Sequence, residues 1–188
     1  VHVHVGQEMI PGLIVSWTSD PSRDEVTDIN SVVVDIGADS AEQVFAWKIF
    51  PGQHVTFDTQ ARVMKDGKKM LGKAWDDRVG CALGYDTMLA LQGEELNCEL
   101  VCGGTVQEEG GRRGAAVAAT LVKPDLFLAL EGPLANDVSG DPNAFGRLGD
   151  GVLFRVVDRE LKLGLKLRDY FLDLASTCGI RYQFYRSL

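Results

Sequence analysis

Polar and apolar residues alternate in VHVHV, residues 1–5, and this two-residue period predicts a strand with one face toward a core. Three further stretches before residue 70 read in the same way. They are MIPGLIVSW, interrupted by Pro11, then SVVVDIG, then HVTFDTQARV, with clusters of Gly, Pro, Asp and Ser between them. The polar PSRDEVTDIN, residues 21–30, predicts a surface loop. SAEQVFAWKI, residues 40–49, predicts one short helix capped by Asp39 or Ser40. Short strands in this density predict a small barrel or sandwich over residues 1–70.

The period changes after LGKAWDDRVG. From Asp77 to Leu91 the apolar positions Val79, Ala82, Leu83, Met88 and Leu91 fall near helical spacing. CELVCGGTV, residues 98–106, then predicts a compact strand. RRGAAVAATLV predicts a small-residue helix that Pro124 ends, and PDLFLAL, residues 124–130, a second short strand. KLRDYFLDLASTCG predicts an amphipathic helix stopped by Gly179. Alternating helices and strands over residues 71–188 predict an α/β domain with a mostly parallel sheet.

Composition narrows the function classes. Of 188 residues 45% are hydrophobic, enough for a sizeable core, and the net charge of −8 comes with no basic tract. Nucleic-acid and anionic-membrane binding both draw on clustered Lys and Arg, so neither is expected. No apolar run nears the roughly 20 residues that span a bilayer. The start has no signal-peptide pattern, and a chain that opens inside a strand reads as a segment of a longer protein. Cys81, Cys98, Cys102 and Cys178 stand in apolar contexts without a C-x-x-C pair, which predicts buried, reduced thiols and a cytoplasmic protein.

The chemistry gathers at strand ends, where open α/β sheets place functional groups. Asp76 and Asp77 precede the first helix of residues 71–188. Glu108 and Glu109 follow the 98–106 run and sit among glycines 103, 104, 110 and 111. Glu131 ends LFLAL, with Asp137 six residues on. Each has an ordinary explanation: a helix cap, a solvated loop, a turn. Carboxylates from three segments on one edge would repel one another without a cation, so spacing alone leaves a metal site and the ordinary readings evenly matched.

LGKAWDDRVGCA, TVQEEGGRRGA and LALEGPLANDVSGDP together resemble the glutamyl-aminopeptidase or tetrahedral aminopeptidase family of co-catalytic metallopeptidases. VVVDIGADS and HVTFDT extend the resemblance over nearly the whole chain. It implies a metallo-aminopeptidase-type catalytic α/β domain at 71–188 and an inserted small β-barrel domain at 1–70 that mediates oligomer contacts. It also implies two divalent metal ions (zinc, cobalt or manganese), with Asp76 bridging them and Glu109 and Glu131 each ligating one. Glu108 would be the general base and acid, moving a proton from the metal-activated water to the leaving amine. The substrate would be the N-terminus of a peptide, and the assembly a homo-oligomer built from dimers, up to a dodecamer.

The sequence departs from the family pattern in two places. The family's two metal-ligating histidines are absent, since His2, His4 and His54 match neither motif and read as structural. Gly110 stands where the family carries valine. A non-catalytic relative serving as an assembly or binding module is therefore the alternative. A glycosidase, suggested by a historical family label, is disfavoured because adjacent Glu108 and Glu109 cannot flank a sugar cleft.

Overall fold

Strand β1 (His2–Val5) runs antiparallel to both β2 (Glu8–Pro11) and β5 (Val55–Thr56), with Val3 opposite Ile10 on one side and Val55 on the other. The alternation of VHVHV is realised here: Val3 is buried, while His2 and His4 share the opposite face. Strands β3 (Leu13–Ser16) and β4 (Val32–Asp35) form a second antiparallel pair, and β6 (Arg62–Val63) with β7 (Met70–Leu71) a short hairpin. Helix α1 (Ala41–Ala46) begins at Ser40, whose side chain accepts the Gln43 N–H at 3.3 Å. These elements belong to the first of two units, Val1–Lys73.

The computed structural model describes residues 1–16, 28–141 and 145–186. The loop expected at 21–30 lies outside these as far as residue 27, and so does the end of MIPGLIVSW at residue 17. The ladders of the first unit stay separate among the described residues, as one three-stranded sheet and two pairs.

The second unit, Ala74–Leu188, holds helices α2 (Trp75–Ala90), α3 (Arg113–Val122) and α4 (Leu165–Thr177) and strands β8 (Val152–Val157) and β9 (Tyr182–Arg186). Strands β8 and β9 pair in parallel, with Phe154 opposite Phe184. Helix α4 packs on this pair through Phe171, whose ring lies 6.0 Å from that of Phe154, and Ala175 of the same helix is buried. Phe154 also meets Tyr182 edge-on at 5.7 Å.

The strands predicted at 98–106 and 124–130 are not formed. Both stretches lack a ladder partner among the described residues, and Val101, Val106, Phe127 and Leu128 are exposed. Apolarity predicts that a segment seeks burial, but a strand also needs a neighbour for its backbone N–H and C=O groups. The described parallel pairing is thus β8–β9, which the reading of the sequence had not marked. The four cysteines are free, as expected, but exposed rather than buried, and Cys98 and Cys102 lie in the 98–106 run that forms no strand. No helix of the described residues is long and apolar enough to cross a membrane.

Candidate active site

Helix α2 approaches its neighbours on a face of glycines. Gly80 and Gly84, one turn apart, are both buried. A Cβ on Gly84 would lie 2.6 Å from Cys102 Sγ, and one on Gly80 would lie 2.6 Å from the carbonyl oxygen of Leu130. Gly132 makes the reciprocal approach, its Cβ position 3.3 Å from Trp75 O and 3.5 Å from Asp76 Cα. Small residues on both sides therefore bring the Asp76 segment and the Glu131 segment together.

Asp76 and Asp77 depart from helical geometry at the start of α2, and the peptide between them is cis. The half-buried Asp77 accepts the Gly80 N–H at 2.9 Å. It takes the capping role that the sequence allowed to either residue, and Asp76, one residue earlier, stays exposed.

Glu108 and Glu109 occupy a tight turn that leads into α3. The Glu108 carbonyl accepts the N–H groups of Gly111 at 2.8 Å and Arg112 at 2.7 Å, and Gly114 N–H reaches back to Val106 O at 2.9 Å. Of the four glycines that frame the pair, Gly111 takes a left-handed conformation (φ +112), as do Gln107 (φ 56) and Arg112 (φ 55). The turn thus draws on side-chain-bearing residues as well as glycine. Both carboxylates are exposed.

The electrostatics tie these segments to Glu131. Its carboxyl is pushed above the ordinary glutamate value of 4.5, first by partial desolvation against the packed segments and next by the charge of Asp77. Arg155 on β8 opposes the shift, while Glu108 and Asp76 reinforce it. Asp77, Glu108 and Asp76 therefore all act on Glu131. Glu109 is not among the groups acting on Glu131.

As donors, Asp76, Glu109 and Glu131 supply carboxylate oxygen, which suits hard and borderline divalent cations. Desolvation is the first cause that raises Glu131 and neighbouring carboxylates add to it; a cation would relieve that added repulsion, so the chemistry of the set fits a metal. The set is not gathered into a finished cage: among the described residues no three His, Cys, Asp or Glu side chains stand close enough to hold one ion. In the first unit, His4 Nε2 lies 2.8 Å from Thr56 Oγ1, and His2 Nε2 lies 3.9 Å from Asp58 Oδ2. Asp137, noted in the sequence for its place after Glu131, accepts the Leu148 N–H at 3.1 Å.

A second group of charges was not foreseen. Arg112 donates Nη1 to Glu160 Oε2 at 2.7 Å and Nη2 to Glu160 Oε1 at 3.0 Å, across 48 residues of chain. Asp158 Oδ1 accepts the N–H groups of Glu160 at 2.8 Å and Leu161 at 2.6 Å, and Asp158 Oδ2 lies 3.8 Å from Arg155 Nη1. No local signal in the sequence announces a partnership at that separation.

The sequence profile described as M42 glutamyl aminopeptidase matches residues 1–187. The glutamyl aminopeptidase of Lactococcus lactis subsp. cremoris is 32% identical over 161 residues, covering 86% of this chain and 45% of the relative. The putative aminopeptidase FrvX of Escherichia coli is 30% identical over 147 residues, covering 76% of this chain and 40% of that protein. The chain thus spans less than half the length of these two relatives. A solved TET aminopeptidase from a marine sediment Thaumarchaeota archaeon superposes with a TM-score of 0.91 at 29% identity, covering 98% of this chain and 54% of the other. The Pyrococcus horikoshii TET1 peptidase, described as assembling into a tetrahedron or a large octahedral shell, gives 0.79 at 26% identity, covering 99% and 56%.

Proposed function

The chain belongs to the M42 glutamyl aminopeptidase family, and on that premise we propose that it acts in the metal-dependent removal of N-terminal residues from peptides. One observation carries the reading. Carboxylates from separate segments act on Glu131 at the junction of α2 and the 131–132 turn, the place where the sequence resemblance puts the metal-binding edge.

In this proposal Asp76, Glu109 and Glu131 would hold the divalent ions. Such ions, when bound, lower the pKa of an attacking water and polarise the scissile carbonyl. Glu108 would accept a proton from the attacking water and return it to the leaving amine. Its neighbour serves as a ligand, so the adjacent carboxylates divide the two tasks. The Gly111 and Arg112 N–H groups hold the Glu108 carbonyl in the turn.

The first unit would be a β-barrel-type oligomerisation domain. Its separate ladders and exposed apolar residues, Leu13 and Phe57 among them, suit a surface that another copy covers. The shells described for the Pyrococcus horikoshii relative support a homo-oligomer of this kind. Four free cysteines suit a cytoplasmic setting.

Metal content, measured beside hydrolysis of a panel of aminoacyl-p-nitroanilides before and after chelation, tests the proposal. Activity that disappears with chelator and returns with zinc, cobalt or manganese supports it. The lack of a finished ligand cage among the described residues favours a second reading, a non-catalytic assembly module. Absence of both metal and turnover in a full-length protein that carries both family histidines would favour that reading instead.

A further inference from the structure

The turn bearing Glu108 and Glu109 is held locally by backbone hydrogen bonds, but those bonds orient it only relative to α3. Its single long-range side-chain anchor among the described residues is the fork from Arg112 to Glu160. Arg112 follows Glu108 by four residues and donates its own N–H to the Glu108 carbonyl at 2.7 Å. One residue therefore binds the turn through its backbone and a distant loop through its side chain.

The receiving loop is itself braced. Asp158 accepts two backbone N–H groups from Glu160 and Leu161, and the Asp158 N–H bonds back to Leu161 O at 2.9 Å. Asp158 also faces Arg155, whose guanidinium lies 5.4 Å from the Tyr185 ring on β9 and whose charge reaches Glu131. The 158–161 turn thus contacts the Glu108–Glu109 turn through Glu160 and, through Asp158, faces the Arg155 whose charge reaches Glu131.

An exposed ion pair contributes little to global stability. A planar bidentate fork nevertheless fixes direction as well as distance, and small displacements of a proton-transfer group are costly to rate. We propose that Arg112 and Glu160 form a positioning clamp that holds the Glu108–Glu109 turn in register with the 158–161 turn and so orients Glu108. The proposal rests on the catalytic role given to Glu108 above.

Glu160→Gln and Arg112→Lys each break the fork with little change of size, and lysine keeps the charge. Amide hydrogen exchange of the full protein reads the clamp without reference to activity. In each variant the amides of Gly111, Arg112 and Gly114 should exchange about tenfold faster, with β8–β9 unchanged. Aminoacyl-p-nitroanilide kinetics should show kcat lowered about tenfold with KM nearly constant, Glu160→Asp should recover part of the loss, and the double variant should be no worse than either single one. Unchanged exchange in both single variants, or additive losses in the double, would overturn the clamp. Faster exchange in a protein whose parent shows no turnover would keep the clamp and remove only the catalytic role on which its orientation of Glu108 depends.

Discussion

A Cβ on Gly80 would stand 2.6 Å from the carbonyl oxygen of Leu130, so helix α2 and the residue before Glu131 meet with no room for a side chain between them. Gly80→Ala should therefore force these segments apart and lower stability by about 1–3 kcal/mol. It should weaken metal uptake as well, because Asp76 and Glu131 separate with their segments. Chemical denaturation and metal titration of the variant check both effects, and a stability equal to the parent's would contradict the close approach.

Gly114 presents the same restriction at the other acidic segment. Its Cβ position lies 2.5 Å from Val106 O and 2.6 Å from Val106 N, both backbone atoms that cannot swing aside. Gly114→Ala should cost about 1–3 kcal/mol and disturb the Glu108–Glu109 turn. Loss of activity without change in the unfolding midpoint would count against this account.

Glu108→Gln removes the proposed proton carrier while nearly preserving shape. Its kcat should fall by about 10²–10⁴-fold, with metal content close to the parent's. Retained turnover would rule out the assigned role, and loss of metal would show that Glu108 is a ligand instead.

Glu131 gives a pH-dependent prediction for the metal-free protein. Its folded-state pKa is raised above 4.5 by desolvation and then by Asp77, so the folded state binds the proton more tightly than the unfolded state does. The associated stability is fully present below 4.5 and is lost as pH rises through the raised value. Glu131→Gln should accordingly raise the melting temperature at pH 7 and give no gain at pH 4. A gain that is the same at both values would show that charge is not the cause.

The clamp carries the opposite sign. The fork from Arg112 lowers Glu160 below its usual 4.5, and the Glu160 and Leu161 N–H groups lower Asp158 below 3.8. Their contribution is present above those ordinary values and is lost as pH falls through the lowered ones. Amide protection in the 106–114 turn should decline on acidification, and less so in Glu160→Gln, which has already lost the carboxylate. An equal decline in both proteins would assign the acid sensitivity to another group.

Much of the helical content was legible in the sequence because its signals are local. Ser40 caps α1, Pro124 follows α3 and Gly179 (φ +65) closes α4, each within a turn of the residue that predicts it. The runs at 98–106 and 124–130 were apolar enough to predict strands, but pairing depends on neighbours elsewhere in the chain, which periodicity cannot supply. The site divides along the same line. Adjacent carboxylates among glycines were visible as a motif, and the resemblance assigned their roles. The glycine contacts that bring Asp76 toward Glu131, and the 48-residue reach of Arg112, depend on the folded path and leave no mark on local spacing.

The β8–α4–β9 segment has a consequence for the order of assembly. Its strand pairing and its contacts among Phe154, Phe171 and Tyr182 close within residues 152–186, so little loop entropy opposes its formation. The Asp76 and Glu131 segments instead meet across a longer stretch of chain than the paired Val152 and Tyr182 do. Refolding should therefore organise this unit early and the chemistry late, leaving an interval in which a partly folded chain has its aromatic cluster but no competent acidic edge. Pulsed amide exchange during refolding would show β8–β9 protected before the 106–114 turn, and simultaneous protection would show instead that the unit folds as one.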